Sequence, residues 1–367
     1  MVKNVSDYQG KSNFEYVIDG FRHEPGVHCT SSALRDVFEF HGEKMSEAMI
    51  FGLGGGMTLA YLKIPKMEPF FGGRNKDFVK DLCRTLSISL NEYKSKNENE
   101  GWQRLKQHLD ASTPSVINID MAYLNYQKKD LPDDFHFGGH TIAVCGYDSQ
   151  SQTVFVSDTH FSEILEVSYD ELSKGRNSTI DKFMAPNNLI YELEFPNKTP
   201  ELTTVVQDVF HRTGRYLTSR SGRMLRLIGI HSGTTAIEVL IKDLDRWLKL
   251  SNDKLKSRCL QQAGYIGTKE HNYGTGGGLF RYLFAEFLEE TAQKLNDESL
   301  QHFATFYEKL GAKWEECAQF FAHLSEKFEK NDQETIANKL KESLAEIQIL
   351  EKEGAHLLLD YTYDGMD

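Results

Sequence analysis

The strongest constraint on this chain is a change of period partway along it. Residues 1–196 mix short helical stretches with strand-like alternation, whereas the residues after Phe195-Pro-Asn-Lys-Thr-Pro200 are helical in pattern almost throughout. Proline lacks an N–H and cannot continue a helix, so two prolines within six residues mark a boundary. The 367 residues then divide into a mixed domain, 1–196, and a helical domain, 197–367. That agrees with a prior of roughly 150 residues per domain.

In the first region Thr30 to Phe40 predicts a helix, because Ala33, Leu34, Val37 and Phe38 recur at i, i+3, i+4 spacing. Asp77 to Tyr93 predicts a second, with Phe78, Leu82, Leu86 and Leu90 on one face, and Trp102 to Leu109 a third, stopped before Pro114. The period then shortens to two. Ser115 to Asp120, Thr141 to Tyr147, Thr153 to Ser157 and Leu189 to Phe195 predict strands, with Asp148 to Gln152 as the turn of a hairpin. Helices followed by an antiparallel sheet make an α+β pattern. In the second region Thr235 to Leu250, Gly278 to Leu295, Ser299 to Phe328 and Asp332 to Gly354 predict amphipathic helices.

Composition narrows the function. The chain has 54 acids against 42 bases, a net charge of −12, which disfavours a general nucleic-acid binder because phosphate neutralisation needs a basic face. No window is apolar enough for a membrane span of about 18 residues. Met1 to Asp19 is polar and carries no signal-like apolar stretch. The five cysteines are odd in number and form no CxxC or Cys/His metal spacing. Reduced thiols in a cytoplasmic protein with no metal site are therefore expected.

Cys29 is the sharpest feature. It stands at the start of the predicted helix, just after His23-Glu-Pro-Gly-Val-His28. A helix N-terminus offers unpaired N–H groups and the positive end of the dipole, and both favour a thiolate. A single cysteine at such a place also suits a small buried side chain. His140, in Phe137-Gly-Gly-His140, opens a predicted strand whose hairpin partner ends at Asp158. The turn brings these two ends together, so Asp158 can orient His140 and His140 can activate Cys29. His160 is a second candidate for the orienting role. The remaining cysteines read as structural.

Two glycine-rich runs and one arginine-rich run stand apart. Gly52 to Gly56 lacks the lysine of a phosphate loop, so it is either a close-approach loop, through Gly54 and Gly55, or a plain turn. Gly274 to Gly278 precedes a predicted helix. Gly276 and Arg281 there either bind an anion or simply lead into the helix. His211 to Arg226 holds five arginines and no acid, which is either a docking face or a solvated face paired within the molecule.

The order Cys29, His140, Asp158 resembles the papain-like cysteine peptidase fold, with the bacteriocin-leader-processing branch as the peptidase comparison. The chain resembles more closely the family of the butirosin biosynthesis protein H. His28-Cys-Thr-Ser-Ser-Ala-Leu34, Ile50-Phe-Gly-Leu-Gly-Gly-Gly56, Gly138-Gly-His-Thr141 and Gly146-Tyr-Asp148 carry this in the first half. Gly274-Thr-Gly-Gly-Gly-Leu-Phe-Arg281 and Phe284-Ala-Glu-Phe287 carry it in the second. The resemblance implies a papain-like catalytic domain with a helical C-terminal domain. It implies a cysteine acyltransferase in natural-product biosynthesis. Cys29 would take an acyl group from a thioester on an acyl carrier protein and pass it to a small amine acceptor. No cofactor is implied beyond the phosphopantetheine arm of the carrier. A peptidase or amidohydrolase with the same triad is the alternative. Papain-like peptidases place a glutamine about six residues before the nucleophile to donate to the oxyanion, and His23 stands there in this chain. It is either a substitute donor beside the Cys29 backbone N–H or an ordinary loop histidine.

Overall fold

The structure is a computed structural model. It describes residues 16–64, 69–129, 131, 135–180, 184–265, 274–325 and 330–363. In chain order its elements are α1 (Cys29–Phe40), α2 (Glu47–Leu53), β1 (Met57–Leu62), β2 (Phe70–Arg74), α3 (Phe78–Thr85), β3 (Ser89–Tyr93), α4 (Glu98–Asp110) and β4 (Ser115–Ile119). There follow β5 (His140–Asp148), β6 (Thr153–Ser157), β7 (Leu165–Ser168), α5 (Tyr169–Arg176), β8 (Ile190–Glu194), α6 (Leu202–Thr218), α7 (Arg223–Leu227) and β9 (Ile230–Ser232). The chain ends in α8 (Thr235–Leu248), α9 (Asp253–Tyr265), α10 (Arg281–Leu295), α11 (Glu298–Ser325) and α12 (Lys330–Leu359).

These elements form two units. The first comprises residues 1–50 with 86–199, and the second 51–85 with 200–367. The chain passes from the first to the second within α2 and returns after α3. Residues 51–85, read from sequence with the mixed region, thus pack in the helical unit.

The first unit is the α+β part. Its sheet runs β3-β8-β4-β5-β6-β7, and every paired neighbour is antiparallel. β5 is central and buried along almost its whole length, so its side chains are apolar on both faces: Ile142, Val144, Ala143 and Cys145. The β5–β6 hairpin closes through Asp148, whose carboxylate accepts from the backbone N–H of Gln150 at 2.9 Å. α1 packs on this sheet and is buried on nearly all sides, not only along the apolar stripe of Leu34, Val37 and Phe38. Its buried polar side chains are each satisfied. Asp36 takes Ser157 Oγ at 2.9 Å, and Arg35 reaches the carbonyl oxygens of Glu24 and Pro25.

The predicted helix Asp77–Tyr93 is two elements. α3 stops at Thr85, Ser87 takes a positive φ of 57°, and β3 follows, pairing along its length with β8. Leu90 fits either period, four residues after Leu86 or two after Ile88, which is why the helical reading ran on.

The second unit is mainly helical, with a small sheet of order β2-β1-β9. α10 packs on α11 through the buried rings of Phe284 and Tyr307, edge to face with centroids 5.0 Å apart, and on α6 through Phe287 against Phe210. The helical expectations hold, with boundaries shifted by a few residues, and α12 runs five residues past the predicted end at Gly354. Residues 326–329, within the predicted Ser299–Phe328 run, lie outside the described residues.

Candidate active site

Helix α1 begins at Cys29 itself. Its N-cap is His28, in extended backbone, whose Nδ1 accepts from the Ser31 N–H at 3.3 Å. His28 is buried there and caps the helix, turned to Ser31 rather than to a substrate. The loop before the helix is held from below by the buried carboxylate of Glu47, which accepts from the N–H of Val27 at 2.9 Å and of His28 at 2.8 Å. Ser31 Oγ donates to the same carboxylate at 2.9 Å. Burial raises the Glu47 pKa, against these hydrogen bonds, which lower it.

The helix start is pinned to the sheet beside His140. Thr30 Oγ1 lies 2.9 Å from Thr141 Oγ1, and Thr141 donates to Asn118 Oδ1 at 3.2 Å. This pin holds the backbone carrying Cys29 beside the backbone carrying His140, and the Cys29 thiol hydrogen-bonds the His140 ring. His140 pairs with Ile119 at the end of β4, and Asp158 directly follows β6, so the hairpin brings both to one end of the sheet. His140 Nε2 lies 3.0 Å from Asp158 Oδ1 and 2.9 Å from Oδ2. With Nε2 on the carboxylate, Nδ1 is the ring nitrogen left for Cys29.

The electrostatics follow. Burial alone would lower the His140 pKa. The charge and hydrogen bond of Asp158, with a hydrogen bond and charge from Cys29, outweigh it and raise His140 to about 10. Burial would raise Asp158, but the His140 charge and hydrogen bond, with hydrogen bonds from Tyr126 and Gln127, bring it down to about 2. The pair is therefore imidazolium and carboxylate at neutral pH. Cys29 is partly exposed, whereas Cys83, Cys145, Cys259 and Cys317 are buried. Burial pushes the Cys83 and Cys317 thiols each up to about 12, and raises Cys145 well above the ordinary thiol range. Cys29 thus differs from every other cysteine in access and surroundings.

Two partners of Asp158 carried no signal in the sequence. Tyr126 donates its hydroxyl to Oδ2 at 2.8 Å, and Gln127 Nε2 donates to the same oxygen at 3.0 Å. Both lie in the connection between β4 and β5, which has no periodicity. Asp120 ends the predicted strand Ser115–Asp120, where nothing in the sequence marks it as a partner of the site. It accepts from the N–H of Phe137 at 3.1 Å and lies 2.8 Å from His136 Nδ1, fixing the chain just before His140.

His23 does not face an oxyanion position with a spare donor. Its Nδ1 lies 2.6 Å from Asp36 Oδ2 and its Nε2 lies 2.7 Å from the Phe161 carbonyl oxygen, with the ring almost fully buried. Both nitrogens are engaged by acceptors. His23 therefore ties the loop before Cys29 to α1 and to the loop that carries Asp158. His160 is not needed as the orienting residue, since Asp158 holds Nε2 directly.

The four residues read as substrate-binding all belong to the second unit. Gly54 has no room for a side chain, because a Cβ would meet the Phe78 ring. Gly55 has a φ of +58°, where glycine is the unstrained choice. Gly276 likewise has a φ of 65°. Packing and turn geometry account for these glycines. Arg281 is a correction: it is fully buried, and its Nε donates to Glu351 Oε1 at 2.8 Å, so its charge is already matched. Its Nη1 donates to the Leu279 carbonyl at 2.6 Å. It has no charge to spare for a substrate anion.

Fold and cluster together define a mixed α+β protein with a cysteine, a histidine and an aspartate assembled at the start of a buried helix. The chain belongs to the family of butirosin biosynthesis protein H. The N-terminal model of that family matches residues 28–159, and a domain of unknown function (DUF4872) matches residues 170–358. The first match contains Cys29, His140 and Asp158. No curated protein matched the chain. Among the described residues, no helix is long and apolar enough to cross a membrane.

Proposed function

We propose that the protein is an amide-forming acyltransferase of natural-product biosynthesis, with Cys29 as nucleophile, His140 as proton carrier and Asp158 as the group that orients and charges His140. The observation that carries this reading is the histidine held by its Nε2 on a buried carboxylate while a helix-start cysteine lies against the same ring.

The proposed nucleophile is the Cys29 thiolate, favoured by the helix start and paired with the His140 imidazolium. The thiolate attacks the carbonyl carbon of an acyl thioester and an oxyanion forms, facing the Cys29 backbone N–H and the positive end of α1. The oxyanion collapses and the carbon–sulfur bond to the donor breaks. The departing thiolate takes the proton of His140, leaving acyl-Cys29 and a neutral imidazole. Loss of the Cys29 negative charge removes part of what had raised His140, which favours this proton release. An amine then attacks the acyl carbon, His140 accepts its proton, and the carbon–sulfur bond to Cys29 breaks. The products are an amide and a free thiol, and the thiolate–imidazolium pair is restored.

The family's name, with its biosynthetic context, favours transfer to an amine over hydrolysis. A carrier protein with its phosphopantetheine arm is the expected donor, and a small amine the acceptor. The test is incubation with a panel of acyl thioesters, with and without amines, and with peptides. Amide product that depends on Cys29 supports the proposal. Cleavage of peptides without thioester turnover, or full activity of Cys29→Ala, overturns it.

A further inference from the structure

The connection from α6 to β9 differs from the rest of the described surface. Of the five arginines between His211 and Arg226, Arg212 is used internally: its Nη2 donates to the Leu53 carbonyl and to Thr85 Oγ1, each at 2.8 Å. Arg226 folds back on the Ser221 carbonyl at 2.9 Å. Arg215, Arg220 and Arg223 are exposed and make no ion pair among the described residues. The same stretch carries exposed apolar side chains. Met224 is 80% exposed, Leu227 77%, Ile228 52% and Leu225 45%. No residue of α7 is buried. Elsewhere among the described residues the large exposed apolar side chains, Ile180, Leu255 and Ile349, stand singly.

Four exposed apolar side chains within five residues cost free energy in water, and Arg220 and Arg223 beside them, without carboxylates, are an unmatched local charge on a chain of net −12. Methionine, arginine and leucine grouped on one small element have the composition of an interface core with a charged rim. We propose that residues 219–228 dock an acidic protein, the carrier that delivers the acyl thioester. This rests on the acyl-transfer reading for the identity of the partner, though not for the existence of the surface.

Charge complementarity selects this occupant. A second copy docked across a two-fold axis would set the arginines of one patch against those of the other. An anionic bilayer is broad, so the acidic remainder of the chain would lie within reach of its repulsion. A small acidic protein meets only the patch, since exposed charges are screened beyond roughly 8 to 10 Å at physiological salt.

The experiment measures binding and turnover separately. The probe for binding is a fluorescently labelled, phosphopantetheinylated acyl carrier protein, read by anisotropy. The variants are Arg220→Glu with Arg223→Glu, and Met224→Ser with Leu227→Ser. Each pair is expected to weaken carrier binding by roughly tenfold or more. Raising salt from about 50 to about 300 mM should weaken the wild type and barely affect the charge-reversed pair. Turnover of a small N-acetylcysteamine thioester should be unchanged, which also shows that the variants fold. Wild-type and variant proteins that bind the carrier equally, or a wild type that does not bind it, overturn the proposal. Equal loss with the small thioester does so too, by making the segment structural. Patch-dependent sedimentation with phosphatidylserine vesicles, without carrier binding, overturns it in favour of a membrane. Patch-dependent carrier binding without any acyl transfer leaves the surface standing and removes the acyltransferase reading instead.

Discussion

At His140 burial and charge oppose each other, and charge wins. The folded His140 sits near 10 against an ordinary 6.5, so its stabilisation is complete below about 6.5 and is lost as pH rises through about 10. Asp158 sits near 2 against 3.8, so its stabilisation is complete above about 3.8 and is lost as pH falls through about 2. The pair therefore stabilises most between about pH 4 and 6.5. Urea denaturation of the wild type and Asp158→Asn should show a larger difference at pH 5 than at pH 9. A difference that grows with pH would contradict the assignment of charge. Cys29, His140 and Asp158 were legible because a helix start and a hairpin are local patterns that fix where their end residues fall. Tyr126, Gln127 and Glu47 were not, because they reach the site through loops and tertiary contact. His23 was legible as a residue near the site, but which atoms faced its ring was not.

At the scale of elements, short-range signals decide where the chain turns. Ser168 caps α5, accepting from the Glu171 N–H, while the Glu171 carboxylate accepts from the Ser168 N–H at 2.9 Å. Ser168→Ala removes one of these bonds and should lower stability by about 1 kcal/mol in urea denaturation, with Cys29 reactivity unchanged. No change would mean that α5 is fixed by packing alone. Phe38 has a different weight. It is fully buried on α1 against Phe195, with ring centroids 5.0 Å apart. Phe38→Ala should cost about 3 to 5 kcal/mol and slow alkylation of the folded protein at Cys29, because the helix that presents the thiol loosens. Unchanged stability would contradict the burial of α1. The strands were legible wherever alternation was clean, as in β4 and β6. β3 was not, since its Leu90 continues the helical period of Leu82 and Leu86 across the break at Ser87.

For the molecule as a whole, composition marks the proline-rich segment that precedes α6, but nothing in it marks the excursion of residues 51–85. β1 and β2 carry no mark of their partner, and β9, which pairs with β1, has only three residues. The second unit also hides a charge. Arg281 and Glu351 are both fully buried, and Trp314 Nε1 donates to Glu351 Oε1 at 2.7 Å. Arg281→Met strands a buried carboxylate and should cost about 3 to 5 kcal/mol by circular dichroism in urea. The double variant with Glu351→Gln should recover most of this, since Gln still accepts from Trp314. Additive losses would show that the two side chains do not act as a pair. The central claim, that this chain holds an acyl group on Cys29, is tested by the intact mass of the protein after incubation with an acyl thioester and no amine. The account predicts one acyl adduct, mapped to the peptide containing Cys29, absent in Cys29→Ala and discharged when an amine is added. An adduct on Cys83, Cys145, Cys259 or Cys317, or amide formation by Cys29→Ala, would contradict it.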